Sequence, residues 1–296
     1  MKIGKSKFII SGIRFLPLVF IFTVFPLFAM DWPSTDGLMT GNFGRNDLGR
    51  PSLGSVYESE GPVLAVESGE LIFFRKSTDN VSALPSPLGT WAVLDHGDGL
   101  LSIYSRLENE NDTPPLRIER NSRIADSGIS GWSVKKGFYF FLYDRHERRW
   151  VNPSMIITPL PDTQAPQISS VELKDSNGVL INASGLRNLS QGRYTIIVSV
   201  FDTRLSQREQ PLAPHRIICS VNGTEIGVLD FETITAKNGE LLVNRNGLEP
   251  AKKIFVPFPA YEAGDVLLSR GQANLEIIVR DISGNTRSFA SRFQVE

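Results

Sequence analysis

The chain is poor in the residues that most often carry chemistry. It has one cysteine and three histidines in 296 residues. A single cysteine cannot close an internal disulfide. Cys219 sits in the apolar run Arg216-Ile217-Ile218-Cys219-Ser220-Val221, which marks a small core residue rather than a reactive thiol. No histidine precedes His96, and no two of His96, His146 and His215 stand at a metal-ligand spacing. There is no Gly-x-Ser-x-Gly elbow and no base beside Cys219, so no activated nucleophile is offered. No window sustains a helical period.

The first 30 residues read as an export signal. Lys2, Lys5, Lys7 and Arg14 precede the uncharged apolar run Phe15 to Ala29, and Asp31-Trp32-Pro33 opens a polar chain. The run is short for a membrane span and holds Pro17 and Pro26. Cleavage after Ala29 is expected, with an uncleaved N-terminal anchor as the alternative and the only route to a membrane. The leader holds four basic and no acidic residues, so its removal takes the net charge from -1 to -5. A mildly acidic exported chain excludes the electrostatic footprint of a nucleic-acid binder.

Almost everything beyond the leader reads as strand. Short apolar runs alternate with Gly, Asn, Asp and Pro turns. Trp91 to Leu94 and Leu100 to Tyr104 flank the turn Asp95-His96-Gly97-Asp98-Gly99, and Gly137-Phe138-Tyr139-Phe140-Phe141-Leu142-Tyr143 reads as a buried strand. The segment Thr158 to Pro166 is proline-rich and polar, and reads as a stiff linker. After it about seven further strand patterns follow, with Asn222-Gly223 as a hairpin signal. They suggest an immunoglobulin-like sandwich. The expected organisation is a leader over 1–30, a β-sheet domain over 31–157, a linker over 158–166 and the sandwich over 167–296: an all-β chain.

Residues 32 to 155 carry a resemblance. Trp32-Pro33, Gly37 and Phe43-Gly44, then Gly61-Pro62-Val63-Leu64-Ala65 through Leu71, then Gly89 to Val93 and Asp95-His96-Gly97-Asp98-Gly99 with Tyr104, then Ile124 to Gly131, then Trp150-Val151-Asn152-Pro153, occur in that order. In order and spacing these blocks resemble the LytM/lysostaphin-type zinc endopeptidases, which cleave peptide cross-links of bacterial peptidoglycan. The resemblance implies that family's fold for 31–157 and a cell-envelope setting.

The catalytic pattern of that family is absent. Its His-x-x-x-Asp pair falls within Arg50-Pro51-Ser52-Leu53-Gly54-Ser55-Val56-Tyr57-Glu58. Its general-base histidine, after Tyr-x, falls on Arg106. Its closing His-x-His falls, on the sequence, on Phe138 and Phe140. A catalytic zinc needs about three N or O ligands. Phenylalanine has no lone pair, and arginine stays protonated. The resemblance therefore implies a pseudo-peptidase with no cofactor, whose vestigial positions are Arg106, Phe138 and Phe140. Alternate strand positions share a face, so the two phenylalanines are expected to fill the former zinc space, with Tyr104 and Arg106 along a remaining groove. Peptidoglycan, a cell-wall hydrolase or another envelope protein are the expected partners. The competing readings are an active metallo-endopeptidase with an unrecognised site and a purely structural or adhesive module.

Overall fold

The structure, a computed structural model, describes residues 29–47, 50–77, 86–109, 113–203 and 211–296. Residues 1–28 of the expected leader lie outside them. No described helix is long and apolar enough to cross a membrane. The chain is all-β, apart from a 3-10 turn at Pro153–Met155 and a helical turn at Ala251–Ile254.

The N-terminal half is built on strands β1 (Leu38–Gly41), β2 (Ser55–Glu58), β3 (Gly69–Arg75), β4 (Thr90–Asp95), β5 (Leu100–Leu107), β6 (Gly137–Asp144) and β7 (Arg149–Val151). Antiparallel pairing runs β3-β4-β5-β6, and the far edge of β6 is shared between β2 and β7. The tight Asp95–Gly99 turn between β4 and β5 needs left-handed backbone at Gly97, Asp98 and Gly99, which is why glycines cluster there.

The C-terminal half has β8 (Gln167–Lys174), β9 (Gly192–Phe201), β10 (Arg216–Val221), β11 (Thr224–Lys237), β12 (Glu240–Arg245), β13 (Ala260–Leu268), β14 (Gly271–Arg280) and β15 (Thr286–Val295). One sheet holds β8, β9 and β13, and a second holds β15-β14-β10-β11. Alternate residues such as Ile196, Val198 and Val200 of β9 and Ile217 and Cys219 of β10 are fully buried in one common core, as period-2 patterning requires. The Asn222-Gly223 hairpin is present, with positive φ at both residues.

The two halves are not joined by a spacer alone. The 14-residue β11 runs out of the sandwich and pairs with β7 at Arg149↔Thr235, Trp150↔Ile234 and Val151↔Thr233, so one sheet crosses both halves. Phe43 from the first half is fully buried in the core of the second. Asn42 exchanges two hydrogen bonds with the backbone of Ala213, at 2.9 and 2.7 Å, and Asn152 Nδ2 donates to Phe231 O. Leu212 in turn belongs to the core of the first half. The proline-rich segment is strapped to both sides: Trp32 Nε1 donates to Thr158 O, and Asn285 Nδ2 to Asp162 O.

Candidate functional site

The β4-β5-β6 registers define the two faces of the N-terminal sheet. One row runs Ala92–Tyr104–Phe140 and on to Ser55 of β2. It faces the core. Phe138 and Phe140 are buried, Phe138 stacking on Tyr57 at 4.8 Å and Phe140 lying 5.2 Å from Tyr104. Neighbouring rows run Trp91–Ser105–Tyr139 and Val93–Ile103–Phe141. They belong to the opposite face, where Val93, Ile103 and Phe141 form a separate cluster rimmed by Trp91, Tyr139, Tyr143 and Trp150.

This separates residues that the sequence places together. Tyr104 does not line a groove; it is fully buried. Arg106 does not share its face. The register shifts at Thr90/Trp91, leaving Arg106 as the extra residue of a bulge, with φ at 64°. A bulge re-aims its side chain. The Arg106 guanidinium thus lies 5.2 Å over the Tyr139 ring, and its backbone N–H donates to Leu88 O at 2.7 Å. Such a cation over an aromatic face is favourable by about 0.5–1 kcal/mol when exposed. Tyr139 is fixed from the other side, its hydroxyl 2.6 Å from Ser52 Oγ and accepting from the Leu53 N–H.

The expectation that Phe138 and Phe140 occupy the position of two zinc ligands therefore needs correction. Ligands and general base must converge on one face to share a metal-bound water. Phe138 and Phe140 point away from Arg106. The alternate pair on Arg106's face is Tyr139 and Phe141.

Behind Phe140 a buried polar chain crosses the core. The Val66 N–H donates to the Tyr104 hydroxyl at 3.0 Å, which lies 3.1 Å from Ser102 Oγ; Ser102 Oγ is 2.7 Å from His96 Nε2, and His96 Nδ1 is 2.9 Å from Ser68 O. Burial pushes the Tyr104 phenol up. Burial lowers His96, partly offset by the Ser68 carbonyl and by Glu67 and Asp95. His146 lies in the exposed turn, its ring against Gly99. His215 is lowered by burial, 3.9 Å from Glu232. Burial likewise pushes the Cys219 thiol up to about 12, which leaves it an inert core group.

Sequence reasoning missed one cluster. Asp162, in the middle of the strap, meets Asp202 after β9 and Asp281 after β14, with one oxygen of each within 4.8 Å of the others. Asp281 accepts from the N–H and Nδ2 of Asn285, both at 2.8 Å. Among the described residues this is the one such group. Its members are remote in sequence, and only the Asp281–Asn285 turn is visible beforehand.

A protein-family model matches residues 165–296. No curated protein matches the chain. Several solved structures are similar to it. The catalytic domain of a mutant of the prophage-encoded M23 protein EnpA from Enterococcus faecalis is 18% identical, over 42% of this chain and 95% of that one, with a TM-score of 0.35. A zinc-containing peptidase from Vibrio cholerae is 21% identical, over 45% and 41%, with a TM-score of 0.36. The antimicrobial peptidase lysostaphin from Staphylococcus simulans is 16% identical, over 70% and 82%, with a TM-score of 0.33. At these values the likenesses assign no residue a role.

Proposed function

We propose that this chain is a non-catalytic protein of the bacterial cell envelope. Its N-terminal half is a degenerate LytM-type peptidase module that binds peptidoglycan or a wall-active partner instead of cutting. Its C-terminal half is an immunoglobulin-like sandwich that holds the module in place. The observation that carries this reading is Arg106 over Tyr139. On the face where a metal and its base would converge, the groups are a guanidinium, a phenol and the phenyl ring of Phe141. The first stays protonated and cannot take a proton from water. The last has no lone pair to give a metal.

The test is an activity gel on purified cell walls with a parallel zinc determination. No clearing and no stoichiometric zinc are expected. Lysis that a chelator abolishes would overturn the reading in favour of an active metallo-endopeptidase.

A further inference from the structure

We propose that Asn238 is a site of spontaneous deamidation, which the fold directs to the turn beside the junction of the two halves. This chemistry does not depend on what the chain binds.

The chain holds four Asn-Gly pairs, at Asn177, Asn222, Asn238 and Asn246. In such a pair the glycine nitrogen can attack the carboxamide of the asparagine before it, because glycine has no Cβ to hinder the approach. All four asparagines are exposed. A Cβ on any of the four glycines would meet nothing within 4 Å. Access therefore does not separate the four sites. Hydrogen bonding does.

The reaction engages two groups, the glycine N–H and the asparagine carboxamide. After Asn177, the Gly178 N–H donates to Asp175 O at 3.0 Å. At Asn222 the side-chain oxygen accepts from the Asn274 N–H at 2.8 Å. At Asn246 both groups are held: Oδ1 accepts from the Val228 N–H at 2.9 Å, and the Gly247 N–H donates to Asn244 Oδ1 at 3.0 Å. At Asn238 no described residue bonds either the side chain or the Gly239 N–H. A hydrogen bond that must break first slows each of the other three sites by roughly three- to tenfold.

Hydroxide takes the Gly239 N–H proton, and the nitrogen attacks Asn238 Cγ. A cyclic imide closes as the Cγ–Nδ2 bond breaks, and ammonia leaves with a proton from water. Water then breaks either imide C–N bond. Opening at Cγ leaves aspartate. Opening at the backbone carbonyl leaves isoaspartate, which adds a methylene to the main chain. The net change is one water in and one ammonia out, without oxidation or reduction. The turn has no slack for that methylene. Lys237 pairs with Glu240 across Asn238 and Gly239, which stand at φ 53° and 78°, the positive values that such a tight hairpin needs. Thr235, just before the turn, pairs with both Arg149 of β7 and Leu242 of β12. Isoaspartate therefore frays the end of the seam that joins the halves.

The experiment holds the purified full chain at mildly alkaline pH and follows each Asn-Gly pair by peptide mapping with mass spectrometry. A parallel sample in concentrated urea removes the fold and leaves the neighbouring sequence unchanged. Conversion in the folded chain should come first at Asn238, roughly three- to tenfold faster than at each other site, and the four rates should draw together in urea. Equal rates in the folded chain, an earlier change at another site, or a preference for Asn238 that persists in urea would overturn the assignment. Isoaspartyl protein separated by ion exchange should melt below the parent, while Asn238→Asp, which adds charge without lengthening the main chain, should keep the parent's midpoint. An isoaspartyl form that melts with the parent, or an Asn238→Asp variant that melts as low as the isoaspartyl form, would overturn the link to the seam.

Discussion

The Nε2 atom of His96 lies 2.7 Å from the hydroxyl of Ser102, which ties the ring into the buried polar chain. His96 Nδ1 faces a carbonyl, which only accepts, so Nδ1 carries the proton. Nε2 faces Ser102 Oγ, which donates to the Tyr104 hydroxyl, and that hydroxyl also accepts from the Val66 N–H.

The consequence is a pH dependence of stability. The folded His96 lies below its ordinary value near 6.5, chiefly through burial. Below about pH 6.5 the unfolded chain then binds a proton that the folded chain refuses. Stability should be flat above that point and fall as the pH drops towards the folded value. His215, also lowered by burial, adds in the same direction. Urea midpoints between pH 5 and pH 8 measure this, and His96→Asn should remove part of the slope.

Tyr104→Phe should cost about 1–3 kcal/mol, since it strands the buried Val66 N–H and leaves Ser102 one partner short. Chemical denaturation at pH 7.5 gives the value. A change under 0.5 kcal/mol, the range of surface substitutions, would mean that the chain is not closed as described.

The assignment of faces on β6 can be tested by restoring histidines. Phe138→His with Phe140→His buries two imidazoles in the apolar core and should unfold the protein or lower its midpoint severely, since Phe-to-small changes alone cost about 3–5 kcal/mol each. Tyr139→His with Phe141→His changes one half-buried ring and one buried ring of the smaller cluster, and should cost less. Thermal scans of the two double variants decide between the registers; equal effects would contradict the assignment.

Phe43→Ala should destabilise both halves together by about 3–5 kcal/mol, although the residue lies in the first half and its ring in the core of the second. Calorimetry should show one transition before and after the change. Two separable transitions would show that the halves fold independently.

The sequence made the strands legible, because alternation and turn chemistry are local. Phe138 to Tyr143 is a buried strand, Cys219 is a core residue, and Asn222-Gly223 turns a hairpin. Periodicity also says that Phe138 and Phe140 share a face, but not which face. That depends on the partner strands, and the bulge that turns Arg106 out of line arises from the β4–β5 register. The junction was illegible for the same reason. Nothing local in Trp150 or Ile234 announces that they pair across eighty residues of chain. The strap's prolines pointed to a linker, but the remote partners that hold it down, such as Asn285, left no local mark.

The crossing strand β11 has a mechanical meaning. If the N-terminal half is held by the wall and the C-terminal half by something else, tension between them does not load the proline-rich strap first. It loads the short β7–β11 ladder together with the buried Phe43 plug. The two halves would then report strain as one body, yielding at a seam of backbone hydrogen bonds rather than stretching like beads on a cord.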